Sequence, residues 1–120
     1  MARMVVIYKT PQDPTAFEKH YLETHVPLAL KLPGLRKYEI SRAPIVTFGG
    51  ASDIFLIATL LFDDMEAIQT CFASPEGRAA RADREILAPR DADYQMFLFD
   101  TNDVQEATTR NFPKIASLTN

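Results

Sequence analysis

Apolar positions along this chain fall into two rhythms. Met4-Val5-Val6-Ile7-Tyr8 and Ile54 to Phe62 are β-branched and aromatic runs, and Leu35 to Arg42 and Tyr94 to Phe99 are two further runs; all four predict strands. Between the first and second lies a helical spacing. Asp13 can cap a helix that has Pro14 at its first position. At about 100° per residue, Phe17, Tyr21, His25, Leu28 and Leu32 share one face roughly 80° wide. Pro27 has no N–H and its ring crowds the Glu23 carbonyl, so this helix is expected to loosen or kink near Thr24 to Val26. Pro33-Gly34 ends it. Residues 44–53, with Gly49-Gly50, read as a loop. Asp63 or Asp64 opens a short helix through Phe72, and Ser74 caps another that starts at Pro75 and ends near Leu87. The order is βαββαβ, which predicts an α+β ferredoxin-like fold with an antiparallel sheet. Residues 1–103 are read as one domain, and 104–120 as a polar tail with Phe112, Pro113 and Ile115 as its anchors.

The strands carry a second message. A sheet with helices on one face normally shows polar residues on the other. Ile54 to Phe62 is polar only at Thr59, and Tyr94 to Phe99 is nearly as apolar. A chain of 120 residues has no second layer to spare, so the expected cover is the same sheet of another copy, packed face to face in a two-fold homodimer.

Composition narrows the partners. Hydrophobic residues make up 47% of the chain, enough for a folded core. The net charge is −3 and no Lys/Arg-rich block occurs, which argues against nucleic acid. No segment approaches the ~18 apolar residues of a membrane span. The start, MARMVVIYK, has too short an apolar run for a signal peptide. The single Cys71 cannot form an internal disulfide. A cytoplasmic protein is expected.

His25 is the first candidate for chemistry. On the apolar stripe it is either a core histidine bonded to a backbone carbonyl, or a working group beside a cavity. Burial would lower its pKa and keep it neutral near pH 7, as a general base requires. Tyr21 shares its face and Tyr38 lies on the second strand; a phenol there is either a donor to a substrate oxygen or a core-edge residue with its hydroxyl in water. Tyr8 has the same two readings. His20 and His25 diverge by about 140° on a helix, which does not suit chelation, and His20 is expected in solvent. Cys71 has no sequence neighbour that would activate it and receives no role. Arg78, Arg81 and Arg84 could form an anion patch. With Glu76, Asp83 and Glu85 interleaved, they are read instead as a solvated, self-paired face.

One stretch is recognisable as a whole. Phe17, then His20-Tyr21, then ETHVPLA (residues 23–29), then LPGL (residues 32–35) followed by Arg36-Lys37-Tyr38-Glu39 resembles the EthD family of small dimeric α+β barrel proteins. The second half agrees, with an apolar strand ending LFDD, a short helix, and Phe72-Ala73-Ser74-Pro75-Glu76-Gly77. The resemblance implies a dimer, and a cleft between helix and sheet in which His25 is the leading catalytic or ligand-contact residue, with Tyr21 and Tyr38 beside it. Phe17, Leu28, Phe55, Ile57 and Phe97 are the expected pocket walls. The implied function is a cofactor-independent enzyme using His25 for proton transfer. Its substrate would be a small lipophilic cyclic or aromatic carbonyl, lactone or phenol compound, and isomerisation, decarboxylation and cyclisation all suit one base in a dry pocket. The alternatives are a binding protein for a lipophilic ligand or for haem, with His25 as its contact, and an interaction module that only dimerises.

Overall fold

A computed structural model describes residues 1–50 and 52–105; the expected anchors Phe112, Pro113 and Ile115 lie outside the described residues. The chain runs β1 (Ala2–Lys9), α1 (Pro14–His20), a π turn (Tyr21–His25), α2 (Val26–Ala29), β2 (Lys37–Ile40), β3 (Ile54–Phe62), α3 (Met65–Ala73), α4 (Pro75–Leu87), a 3₁₀ turn (Asp91–Asp93) and β4 (Tyr94–Asp100). The sheet order is β2-β3-β1-β4 and every pair is antiparallel, which is the ferredoxin-like arrangement. Among the described residues, no helix is long and apolar enough to cross a membrane.

The helix starts follow from their caps. Asp13 Oδ1 accepts from the Ala16 N–H, Asp64 Oδ1 from Ala67 and Ser74 Oγ from Gly77, with Pro14 and Pro75 each in the first turn of its helix. Gly77 is required for a close approach. A Cβ there would stand 2.1 Å from the Cys71 carbonyl oxygen, so only glycine lets α4 fold back onto the end of α3. Cys71 is buried at this contact, and burial, with a smaller contribution from Glu76, pushes its thiol up to about 11. That environment suits a small core residue rather than a nucleophile.

Near Pro27 the expected loosening takes a definite form. The Val26 N–H donates to the Tyr21 carbonyl, five residues back, and the turn from Tyr21 to His25 is a π turn. This wider turn alters the buried stripe. Phe17, Tyr21 and His25 stay on it, but Ala29, not Leu28, continues it to Leu32. Leu28 is only half-buried.

On β1 and β3 the alternation is strict. Ala2, Met4, Val6 and Tyr8 pair across with Phe62, Leu60, Ala58 and Leu56, and all eight are buried under the helices. Each large apolar side chain among them contributes about 1.5–3 kcal/mol of burial. Val5, Ile7, Ile57 and Leu61 lie between them in sequence, so they point to the other face and stay half-buried. β4 pairs Val5 with Phe97 and Arg3 with Phe99, which puts Phe97 and Phe99 on that outer face too. The register slips after Tyr8, which pairs with Leu56 while Lys9 pairs with Ile54. Phe55 is the extra residue of this bulge, and it meets the buried Phe17 edge-on at 5.5 Å.

Candidate functional site

The inner face of the sheet and the π turn enclose a small cavity. Its wall includes Tyr8 from β1, Tyr21 and His25 from the π turn, Tyr38 from β2, and Ala80, Arg81 and Arg84 from α4. The π turn sets the ring positions. Tyr21 and His25 have centroids 5.0 Å apart, Phe17 stacks on Tyr21 at 6.0 Å, and Tyr8 meets Tyr21 edge-on at 5.8 Å.

His25 is 8% exposed and its Nδ1 lies 2.8 Å from Asp83 Oδ2. Asp83 is 6% exposed, and its other oxygen lies 2.8 Å from His20 Nε2. A carboxylate only accepts, so both rings donate to it. This fixes the neutral His25 ring with its proton on Nδ1 and the lone pair on Nε2, which has no partner among the described residues. Burial lowers the His25 pKa below the ordinary imidazole value, outweighing the Asp83 carboxylate, which raises it. His25 is therefore neutral near pH 7, with a basic nitrogen available beside the cavity.

The phenols are its opposite. The Tyr21 and Tyr38 hydroxyls are 2.5 Å apart, so one donates to the other and the pair keeps one proton for a third partner. Burial drives both pKa values up; for Tyr21 the neighbouring Tyr38 adds to the rise, whereas for Tyr38 the hydrogen bond from Tyr21 partly opposes it. The Tyr8 pKa is also raised, mainly by burial. All three stay protonated donors through the neutral range. The site thus pairs one neutral base with a bonded pair of phenols that can donate to an oxygen carrying developing charge.

The space next to His25 is about 40 Å³, room for one or two waters. Sharing part of its wall is a groove of about 330 Å³ bounded by α3, α4 and β4, lined by Ile68, Gln69, Tyr94 and Leu98. Met4, Phe72, Arg81, Arg84 and Met96 line both parts. The groove has room for a small ligand.

Tyr21, His25 and Tyr38 are thus brought together, while the expected walls are not. Phe17 and Phe55 form an aromatic contact beside the cavity; Leu28 is turned off the stripe by the π turn. Ile57 and Phe97 are on the outer face because β3 and β4 take their phase from pairing with β1. His20 is not free in solvent: its side chain is 33% exposed and bonded to Asp83. The self-paired reading of α4 holds only for Arg81, 3.9 Å from Glu85. Asp83 leaves that face for the interior, and Arg78 bonds the Ala73 carbonyl. A signal for Asp83 was present. Gly77 and Ala80 mark a small-residue side of α4, and Asp83 is three residues further along that side. Among the described residues no group of three or more His, Cys, Asp or Glu converges on a common point for a metal ion.

Comparison with known proteins places the chain. The EthD domain model matches residues 9–91. An uncharacterized 11.0 kDa protein in the thcB-thcC intergenic region of Rhodococcus erythropolis is 34% identical over 83 residues, covering 69% of this chain and 80% of that protein. The crystal structure of an EthD family protein from Bacillus halodurans superposes with a TM-score of 0.77 at 29% identity, over 85% of this chain and 99% of the other. A dimeric ferredoxin-like protein of unknown function from Thermobifida fusca gives 0.62 at 17% identity, over 83% and 90%. SnoaB from Streptomyces nogalater, a cofactor-independent oxygenase, gives 0.60 at 17% identity, over 88% and 97%. The last two likenesses establish the fold alone. With the domain model spanning well over half of its length, this chain belongs to the EthD family.

Proposed function

We propose that the cleft is the active site of a cofactor-independent enzyme that moves a proton on a small lipophilic cyclic or aromatic compound. His25 Nε2 takes the proton from carbon or oxygen, Asp83 holds the ring by its Nδ1–H, and the Tyr21–Tyr38 pair donates to the substrate oxygen where charge develops. Asp83 and His20 are positioning groups. The observation that carries this reading is the 2.8 Å bond from His25 Nδ1 to a buried carboxylate, which holds a neutral imidazole in the wall of a cavity that is apolar apart from its tyrosines, Arg81 and Arg84. The cofactor-independent chemistry of SnoaB, on the same fold, is compatible with it. The space at His25 is far too small for a porphyrin, which weighs against the haem alternative.

The working unit is a homodimer of the domain formed by residues 1–103, joined through the outer face of the sheet. Two observations support this. Val5, Ile7, Ile57 and Leu61 are half-buried there and Phe97 is 46% exposed, leaving an apolar surface uncovered among the described residues. Fold neighbours from Thermobifida fusca and Bacteroides fragilis are described as dimeric.

The test is a screen of small cyclic ketones, lactones and phenols for turnover, with wild type and His25→Ala side by side. The expected result is turnover lowered ~10²–10⁴-fold in His25→Ala, with ligand still bound. Unchanged turnover would overturn the reading. Loss of the ligand itself would favour a binding protein.

A further inference from the structure

The groove beyond His25 holds a charge that its apolar walls do not explain. Arg84 lines both the cavity and the groove. Its Nε is buried and has no hydrogen-bond partner among the described residues. Nη1 makes only a long bond, 3.4 Å, to the Ala88 carbonyl. The guanidinium carbon lies 4.1 Å above the centre of the Tyr94 ring, which holds the group in place. Other arginines have acidic partners: Arg36 with Asp63, Arg81 with Glu85, and Arg90 with Asp93. Arg84 has none among the described residues. The neighbouring carboxylate, Asp83, is taken by His20 and His25.

An orphaned buried N–H is costly, and the fold keeps it beside a groove large enough for a ligand. The Nε and Nη hydrogens of a guanidinium form a planar fork that matches the two oxygens of a carboxylate. A phosphate would bring more charge and volume into a groove whose remaining walls include Ile68, Phe72, Met96 and Leu98. The observations therefore favour a planar monoanion on an apolar body.

We propose that the substrate of this site is a small lipophilic carboxylic acid, its carboxylate held by Arg84 and its apolar body against Phe72 and Met96. Its reacting end reaches His25 and the Tyr21–Tyr38 pair. Arg81, exposed at the mouth and only loosely paired, is a second contact for the incoming anion. The inference rests on the proton-transfer reading for the role of the reacting end, and it adds the substrate class.

Calorimetry with 2-naphthoate and its neutral counterpart 2-naphthamide tests it, with ¹⁵N chemical shifts of the His25 ring followed in parallel. Naphthoate is expected to bind wild type roughly 10-fold or more tightly than naphthamide, as a charge-assisted fork implies. Arg84→Met should erase that preference, weakening naphthoate binding far more than naphthamide binding. If Arg84→Met does not fold, Arg84→Lys decides. A preference reduced several-fold supports the fork, and an undiminished one overturns it. Equal binding of both probes to wild type, with a response at His25, overturns the carboxylate assignment and leaves the proton-transfer reading standing. An Arg84-dependent preference for naphthoate with a silent His25 keeps the assignment and overturns the proton-transfer reading. Binding of neither probe overturns both.

Discussion

The two faces of the sheet use the same kind of strand for different ends. On the inner face, Val6 and Tyr8 are covered by this chain's own helices, Tyr21 is bonded to Tyr38, and His25 shares Asp83 with His20. On the outer face, Val5, Ile7 and Phe97 are equally apolar but lack a cover among the described residues. Every proposed reacting group comes from the inner side, so the proposed chemistry needs one chain alone, while the outer face stays open among the described residues. Changes on one face should therefore leave the property of the other intact.

The sharpest break is on the outer side. Phe97→Asp puts one carboxylate from each copy into the middle of the proposed interface, at a cost on the order of several kcal/mol per charge. The expected outcome, read by light scattering after size exclusion, is a monomer that keeps its circular dichroism spectrum. A dimer of unchanged mass would mean that the outer face is not the contact.

On the inner side the matching change is Asp83→Ala. It removes the shared acceptor of two imidazole N–H groups, leaving that of His25 buried and unpaired. We expect a loss of about 1–3 kcal/mol in urea unfolding, with the dimer mass unchanged. A loss of dimer without a loss of monomer stability would erase the division between the two faces.

This division explains what could be read in the residues and what could not. The stripe of Phe17, Tyr21 and His25 was legible because a helix repeats its buried side every three or four residues, and aromatic residues mark that side strongly. Leu28 was misplaced because the π turn at Tyr21–His25 changes the repeat by one residue, and the presence of Pro27 announces a disturbance without giving its form. Ile57 and Phe97 were misplaced for another reason. A strand apolar at both parities carries no phase, and only the pairing of Val5 with Phe97 and Ile7 with Ile57 supplies it. Asp83 and Arg84 look like the other charges on α4, and the small-residue side marked by Gly77 and Ala80 is what sets Asp83 apart. The burial of Asp83 follows from the close approach that Gly77 and Ala80 allow, and that approach depends on where α3 ends.

The smallest expected effect tests the polar side most finely. His25 lies below the ordinary imidazole range because burial penalises its cation more than Asp83 favours it. Between its folded pKa and about 6.5, the unfolded chain therefore binds more protons at this position than the folded one. Stability contributed by His25 then rises with pH through that window and falls on acidification, by at most ~1.4 kcal/mol per pH unit. The urea midpoint of wild type should drop between pH 7.5 and pH 5.5, and by less in His25→Gln. The same ordering fixes the acid limb of turnover, which should lie below about 6.5 because the neutral ring is the base. Asp83→Ala should move that limb further down, since the carboxylate is the group that holds the pKa up. A limb above that value, or one that rises in Asp83→Ala, would mean that burial does not govern this histidine, and that the inner face is less sealed from water than its packing implies.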